Sequence, residues 1–441
     1  MIQSHKKFQG INMLKTFKYF TTILAISFLL TACSQKVVVE KPTILEVKQD
    51  TIVELSKQAN DKSFNQQEQT DEYFSKYFRP WKQSKLSYSE VEAKWGFSYK
   101  NKKVYLENHN QATKEWFDKK IENANFENYN KDIKKAITLK NTNVRVLPTN
   151  SPMFYNPSLP GEGFPFDYNQ NSLLKINTPL IVSHFSKDRA WAFVESHFVG
   201  GWVEINSIAF VDDDFINDFT TNDYFIATKE KFAIYDPIFR EYVKVGTIFP
   251  KKDNNFIVAK EDDNLNAKIS YIQIEEEFVE PMPLAYTYEN RARVLKEFMN
   301  EPYGWAGLLN NRDCSSFTQD YFSVFGKYLH RNSKAQTTNG KYFDISQLTL
   351  DEKKEFIRKN GIPFSTLVYL KGHIMLYIGI ENNEPLVVHN VWSVKLKDKE
   401  DKEFRYIIGK TAITTLEPAK DQEGFTQDSN ILKKVLGITI L

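Results

Sequence analysis

The chain has 441 residues, 41% hydrophobic and 14% aromatic, which is enough apolar material for several cores and too much for a disordered polymer. Lys and Arg number 58 against 56 Asp and Glu, a formal net charge of +2, so no whole-chain basic field points to a nucleic-acid partner. The two cysteines, Cys33 and Cys314, exclude a disulfide framework, and with 7 histidines they leave no good tetrahedral metal set, so neither metal nor cofactor is expected.

Residues 14–33 read LKTFKYFTTILAISFLLTAC. Lys15 and Lys18 supply a positive flank, Ile23 to Leu30 a short apolar core, and small residues precede Cys33. This is the layout of a secretory signal over residues 1–33, too short for a stable membrane span. Leu30-Thr31-Ala32-Cys33 resembles the bacterial lipoprotein box, which implies export, lipidation of Cys33 and attachment to a membrane through the lipid. Met13 is a plausible start, and Ser34 after the cysteine implies a periplasm-facing protein of the outer membrane.

Residues 34–65 are polar and read as a tether. Residues 66–135 read as a small helical region: Tyr73, Phe74, Tyr77 and Phe78 recur at helical spacing, Pro80-Trp81 breaks the run, and Ser89-Glu90-Val91-Glu92 has the form of a capped start. Short alternating strands follow over 136–212, with Trp191–Val194 and Gly201–Ile205 as a pair and Gly200-Gly201 as the turn between them. A second strand-rich stretch covers 213–281, and the two together have the texture of small barrels in series. From 282 to 441 helix and strand alternate.

Cys314 opens a helix that Phe317, Tyr321 and Val324 turn inward, with Asp313 available as its cap. A helix N-terminus favours a thiolate, and a nucleophilic cysteine needs a base and a group to orient that base. Two strand-like runs offer histidines. In the first, Ile374, Leu376, Ile378 and Ile380 share one face and His373 takes the other, beside Met375 and Tyr377. Asn382-Asn383 turns the chain, and the returning strand brings His389 near His373, where it is expected to accept the Nδ1 proton of the first ring. An inert buried thiol and two structural histidines are the alternative on these residues alone.

The order Cys, His, His, with Asp before and Ser after the cysteine, resembles the NlpC/P60 cysteine peptidases of bacterial cell walls. Tyr303-Gly304-Trp305-Ala306-Gly307, Arg312-Asp313-Cys314-Ser315-Ser316, Arg331-Asn332-Ser333, Gly372-His373 and His389-Asn390-Val391-Trp392 follow that family's motifs in order. Phe78-Arg79-Pro80-Trp81, Gly163–Tyr168 and Ser186-Lys187-Asp188 are similar to its lipoprotein branch, which has a helical N-terminal region and two bacterial SH3-type domains.

The resemblance implies an α+β fold: a papain-like catalytic domain over 282–441, preceded by two SH3-like barrels and a helical region. It implies Cys314 as nucleophile, His373 as base, His389 as the third member and Tyr303 as part of the oxyanion pocket. Asp313 and Ser315 would read the free amine of an N-terminal L-Ala, with Asp167, Tyr168 and Asp188 near the substrate entrance. The implied reaction is hydrolysis of the γ-D-glutamyl–diaminopimelate bond of peptidoglycan stem peptides or muropeptides through a thioester, by a monomer. A coupled Cys314–His373 pair predicts activity rising from about pH 5 to 8. An amidase or acyltransferase, or a wall-binding lipoprotein without turnover, are the competing readings. Ala306 departs from the family's glycine and His330 from its proline, and the first matters if that backbone needs a positive φ.

Overall fold

The computed structural model describes residues 49–59 and 65–441; the expected signal segment and Cys33 lie outside them. No described helix is long and apolar enough to cross a membrane.

The N-terminal region contains α1 (Gln49–Lys57), α2 (Gln66–Tyr77) and α3 (Lys114–Asn123). In α2, Tyr73 and Tyr77 are buried at i, i+4 spacing. A short helix, Arg79–Lys82, carries Pro80 near its start, where the missing N–H costs nothing, and the indole N–H of Trp81 donates to the Ala136 carbonyl (2.8 Å). Ser89 and Glu92 form the expected reciprocal cap on Glu90–Ala93.

The first β domain is one seven-stranded sheet in the order β3-β2-β6-β5-β4-β1-β7. Its strands are β1 (Lys134–Thr138), β2 (Thr142–Arg145), β3 (Gln170–Leu174), β4 (Pro179–Phe185), β5 (Trp191–Glu195), β6 (Gly200–Glu204) and β7 (Ile208–Phe210). The turn between β5 and β6 is Ser196–Val199, closed by the Ser196 hydroxyl, and Gly200-Gly201 already belongs to β6. Glycine is needed there because β6 crosses close to β2: a Cβ on Gly201 would meet the Arg145 carbonyl at 2.7 Å.

Helix α4 (Asp213–Phe219) leads into the second β domain. A hairpin of β9 (Phe232–Tyr235) and β10 (Phe239–Val243) closes over a five-stranded sheet of β8 (Tyr224–Ala227), β11 (Ile248–Lys252), β12 (Asn255–Glu261), β13 (Ala267–Ile272) and β14 (Val279–Pro281). Phe232, Ile234 and Val243 of the hairpin share one core with Phe249, Phe256 and Val258 of the sheet.

The C-terminal domain sets α5 (Tyr288–Phe298), α6 (Cys314–Val324) and α7 (Leu350–Asn360) around an antiparallel six-stranded sheet, ordered β15-β20-β16-β17-β18-β19. Its strands are β15 (Lys341–Asp344), β16 (Thr366–Leu370), β17 (His373–Glu381), β18 (Glu384–Lys397), β19 (Glu403–Thr415) and, after α8 (Ile431–Lys434), β20 (Val435–Ile440). Strand β17 is buried on both faces. Ile374, Leu376 and Ile378 join the main core with Phe317 and Tyr321 of α6, while Met375 and Tyr377 join the cluster that includes Ile357 of α7. Ile380 departs from the expected face and packs with the second cluster, because an irregularity in the β17–β18 ladder between Tyr377 and Gly379 breaks the alternation.

Part of the expected tether is a docked helix. Ile52 and Leu55 of α1 enter the main core, and Arg291 of α5 donates to the Ser56 carbonyl (2.9 Å) and hydroxyl (3.1 Å).

Candidate active site

Asp313 fixes where the candidate nucleophile, Cys314, sits. It caps α6 by accepting from the Ser316 N–H (2.8 Å), while the Ser316 hydroxyl accepts from the Asp313 N–H (2.9 Å). Cys314 is therefore the first residue of the helix, 6% exposed at the floor of a cleft of ≈ 840 Å³. Two influences oppose each other at the thiol. The helix start and a hydrogen bond with the Ile374 N–H favour the thiolate; burial, followed by the Asp313 carboxylate, outweighs them and pushes the thiol up to about 12. The low thiol pKa expected from the helix position alone is thus not what the surroundings produce.

The hydrogen bond to Ile374 puts the sulfur beside the first turn of β17, and His373 lines the same cleft. The two-residue turn Lys371-Gly372, with Gly372 at φ +82°, pairs Leu370 with His373 and leaves the ring at the half-buried beginning of the strand. His373 Nε2 lies 2.7 Å from His389 Nδ1, and His389 Nε2 lies 3.1 Å from Thr414 Oγ1. The chain ends where Thr414 Oγ1 donates to the Thr415 carbonyl (2.7 Å).

Proton positions follow from that end. A carbonyl only accepts, so the Thr414 hydroxyl proton is committed to it, and the oxygen can only accept from His389 Nε2–H. A neutral His389 then offers a lone pair at Nδ1, which takes the proton on His373 Nε2. His373 Nδ1 is left as the free base. Sequence reasoning expected His389 to hold the Nδ1 side of His373; the structure engages Nε2. Burial, and then the neighbouring His373, keeps His389 far below the usual imidazole range, and burial pulls His373 down to about 4, opposed by Asp313. Both rings rest neutral near pH 7.

Tyr303 lines the cleft with its ring 5.9 Å from Trp392 and 6.2 Å from Phe166. Burial, Cys314 and Asp313 hold its phenol well above the ordinary tyrosine range, so it stays a donor. Ser315 also lines the cleft, accepting from Arg331 Nη1 (2.9 Å). Asp313 reaches the cleft as well, but its oxygens are already engaged by the cap, by the Ala306 N–H (3.1 Å) and by a two-pronged pair with Arg331 at 3.1 and 2.8 Å. Burial would raise its carboxyl, and Arg331 and the cap hold it below the usual range. Ala306 is at φ +51°, so the departure from glycine does fall on a left-handed backbone, held by the Asp313 bond and by Gln170 Nε2 donating to its carbonyl (3.3 Å).

The three expected entrance residues separate. Tyr168 lines the cleft between Tyr155 (4.3 Å) and Trp305 (5.4 Å). Asp167 does not: it is 2% exposed, salt-bridged to Arg145 (2.8 Å), and accepts from the N–H groups of Met153 and Asn169, so it shapes the loop behind Tyr168. Asp188 organises the β4–β5 turn through the Ser186 hydroxyl and the Ala190 N–H and ties it to Asn123 of α3, outside the cleft. Arg331 and Thr414 were given no role by sequence reasoning. Arg331 lay inside a recognised motif; Thr414 carries no local signal.

No group of His, Cys, Asp and Glu among the described residues could hold a metal ion.

Residues 300–402 match the sequence model of the NlpC/P60 family, residues 22–129 that of the NLPC_P60 stabilising domain, N-terminal, and residues 152–204 an SH3 domain of SH3b1 type. The NlpC/P60 match falls on the C-terminal domain and the SH3 match on the first β domain. Among solved structures it is similar to an NlpC/P60 endopeptidase from Photobacterium damselae subsp. piscicida, with a TM-score of 0.76, 24% identity, and coverage of 93% of this chain and 96% of that one. An NlpC/P60 family protein from Bacillus cereus ATCC 10987 aligns with a TM-score of 0.42 and 17% identity, over 69% of this chain and 98% of that one. No curated protein matches. The fold is that of an NlpC/P60 peptidase.

Proposed function

We propose that the protein is a peptidoglycan hydrolase: a cysteine endopeptidase that cleaves the γ-D-glutamyl–diaminopimelate bond of stem peptides with a free N-terminal L-Ala. One observation carries the reading: the thiol of Cys314 and the ring of His373 line one cleft, and behind it His373 heads a relay through His389 to Thr414 whose proton positions leave His373 Nδ1 free.

The chemistry follows from the resting state. Thiol and imidazole are both neutral, so sulfur gives its proton to His373 Nδ1 as it attacks the amide carbonyl. The oxyanion is met by the Cys314 N–H, since the first N–H groups of a helix have no intrahelical acceptor, and by the Tyr303 hydroxyl. His373 hands the proton to the leaving amine and the C–N bond breaks, leaving a thioester. Water, deprotonated by the same imidazole, attacks the thioester and restores the thiol. The positive charge on His373 is shared with His389, which Thr414 holds in place.

The first β domain walls one side of the cleft through Phe166, Tyr168 and Gly201, which suits short stem peptides better than an intact crosslinked wall. Ser315 and Arg331 stand where the acyl fragment enters. Export, a lipid on Cys33 and an outer-membrane position facing the periplasm complete the reading, on the strength of the N-terminal sequence, and the second β domain serves as a further SH3-type domain. The test is mass analysis of purified muropeptides digested by the wild type and by Cys314→Ala. A newly freed diaminopimelate amine, made by the wild type only, supports the reading. A freed muramyl lactyl group means an amidase, and unchanged muropeptides with retained binding mean a wall-binding protein.

A further inference from the structure

Between Tyr303 and Cys314 the chain makes a loop, residues 304–311, whose two feet are paired. The Gly304 N–H donates to the Arg312 carbonyl (2.7 Å), and Tyr303 bridges to Arg312. Tyr303 therefore stands on one foot, and Asp313 and Cys314 follow the other. Inside the loop the backbone turns left-handed at Ala306 (φ +51°), Gly307 (φ +94°), Leu309 (φ +58°) and Asn310 (φ +58°). Glycine and asparagine adopt this region readily; alanine and leucine do not. Leu309 is 70% exposed, so packing of its side chain does not offset the conformation. Such strain persists only where surrounding contacts over-determine the backbone.

Those contacts come from the two β domains, one at each end of the loop. From the first, Gln170 of β3 donates from Nε2 to the Ala306 carbonyl (3.3 Å), and Gly307 lies so close to β3 that a Cβ would meet Leu173 Cβ at 2.4 Å. Gln170 is itself fixed. It is buried, its Oε1 accepts from Arg145 Nη1 (2.6 Å), and its Nε2 also donates to Asn143 Oδ1 (2.8 Å) and to the Ser172 carbonyl (3.0 Å). From the second domain, Lys244 Nζ donates to the Asn310 carbonyl (2.5 Å). The turn at Ala306 brings its N–H to Asp313 Oδ2 (3.1 Å), and Asp313 caps α6 and pairs with Arg331.

We propose that Gln170 is a positioning residue that acts through this loop: it holds Ala306 in the left-handed turn, and Ala306 in turn holds Asp313 and the start of α6 against Tyr303. This rests on the peptidase reading. Lys244 fastens the other end, but it also faces Glu230 and Glu301, so its removal mixes two effects and Gln170 gives the cleaner test.

The experiment is a double-mutant cycle on the full chain, with Gln170→Met, Leu309→Gly and the two combined. Gln170→Met removes the donor and keeps the bulk, and lowers kcat/KM on an L-Ala-γ-D-Glu-diaminopimelate tripeptide by about 5- to 10-fold, the size of one hydrogen bond. Leu309→Gly, outside the cleft lining, leaves kcat/KM unchanged and raises the melting temperature by about 1–3 °C. In the combined variant the loss shrinks to under about 3-fold, because glycine at 309 lets the loop keep its shape with one holder fewer. A wall residue that only touched substrate would lose as much in either background. Amide hydrogen exchange reads the same cycle without substrate: Gln170→Met speeds exchange at Ala306 and Ser316, and Leu309→Gly restores it. Equal kinetic losses in both backgrounds, or exchange at Ala306 that Gln170→Met leaves unchanged, overturn the proposal. If Gln170→Met does not fold, Leu309→Gly decides alone: a raised melting temperature with slower exchange at Ala306 sustains the proposal, and anything else overturns it. If the wild type cleaves no stem peptide, the peptidase reading fails and the exchange cycle decides the loop separately. Faster exchange that Leu309→Gly restores then sustains it, and no change or no restoration overturns it.

Discussion

The two β domains are made of similar short strands, yet only one reaches the cleft. The first contributes Phe166, Tyr168, Gln170 and Gly201 to its lining; the second contributes no described residue. Instead the second reaches under the loop before Cys314 with charge. Lys244 pairs with Glu230 and Glu301, and Arg312, 1% exposed in its side chain, pairs with Glu230, Glu301 and Asp320. Asp320 in turn holds Lys175 of the first domain (2.5 Å). One domain therefore works as a wall and the other as a footing, and the difference comes from loops and buried charges, since the strands themselves are alike. Changes in the first should move KM and specificity, and changes in the second should move stability.

The largest stability effect is expected from Arg312→Gln. It leaves three buried carboxylates, Glu230, Glu301 and Asp320, with only the two ammonium groups of Lys244 and Lys175 against them, and should cost about 3–5 kcal/mol in denaturant unfolding. A variant with normal stability would break the distinction. Behind the cleft, His389→Ala should lower kcat by about 10²–10⁴-fold with the fold intact, because His373 loses the partner that sets its tautomer. Thr414→Val should lower kcat about 10-fold with KM unchanged, and Thr414→Ser should restore it, since removing a single hydrogen bond costs about 1.4 kcal/mol. Rescue by serine separates proton positioning from packing.

The pH dependence sharpens the same point. His373 is a base only when neutral, and its pKa lies at about 4, so activity should hold through pH 5 and fall as pH drops through about 4. The rise between pH 5 and 8 expected from sequence belongs to an exposed imidazole. Stability has its own sign. His184 and His389 are fully buried with lowered pKa values, His184 at about 4, so the unfolded chain takes up their protons first as pH falls below the usual histidine range. Stability is therefore lost from about pH 6.5 downward, by up to about 1.4 kcal/mol per pH unit for each group. A melting temperature that stays flat from pH 7 to 5 would contradict this. The smallest effect is expected at Asp188→Asn, which should leave kcat/KM unchanged and alter stability by under about 1 kcal/mol, as an exposed turn residue should.

Local rules made much of this legible in the sequence. The Ser89–Glu92 cap, the inward face of Phe317, Tyr321 and Val324, and the alternation through Ile374 to Ile378 depend on neighbours a few residues apart. What escaped depends on distant partners. Asp167 looks like an entrance residue until Arg145 is seen buried against it. Thr414 joins the histidines only because β19 pairs with β18, with His389 opposite Ala412 and Thr414 one step along the same face. Among the described side chains of helix α1, the buried apolar ones are Ile52 and Leu55, set in a polar stretch and too weak a pattern to mark a docked helix. The thiol pKa was misjudged for a related reason: a helix start is visible in sequence, and burial is not.

The most direct test of the account is the intact mass of the protein sampled in the first turnovers on a stem peptide. The account predicts a transient adduct with the mass of the acyl fragment, located on Cys314 and missing in Cys314→Ala, which also loses all turnover. Hydrolysis that proceeds with no adduct and survives in Cys314→Ala would contradict it.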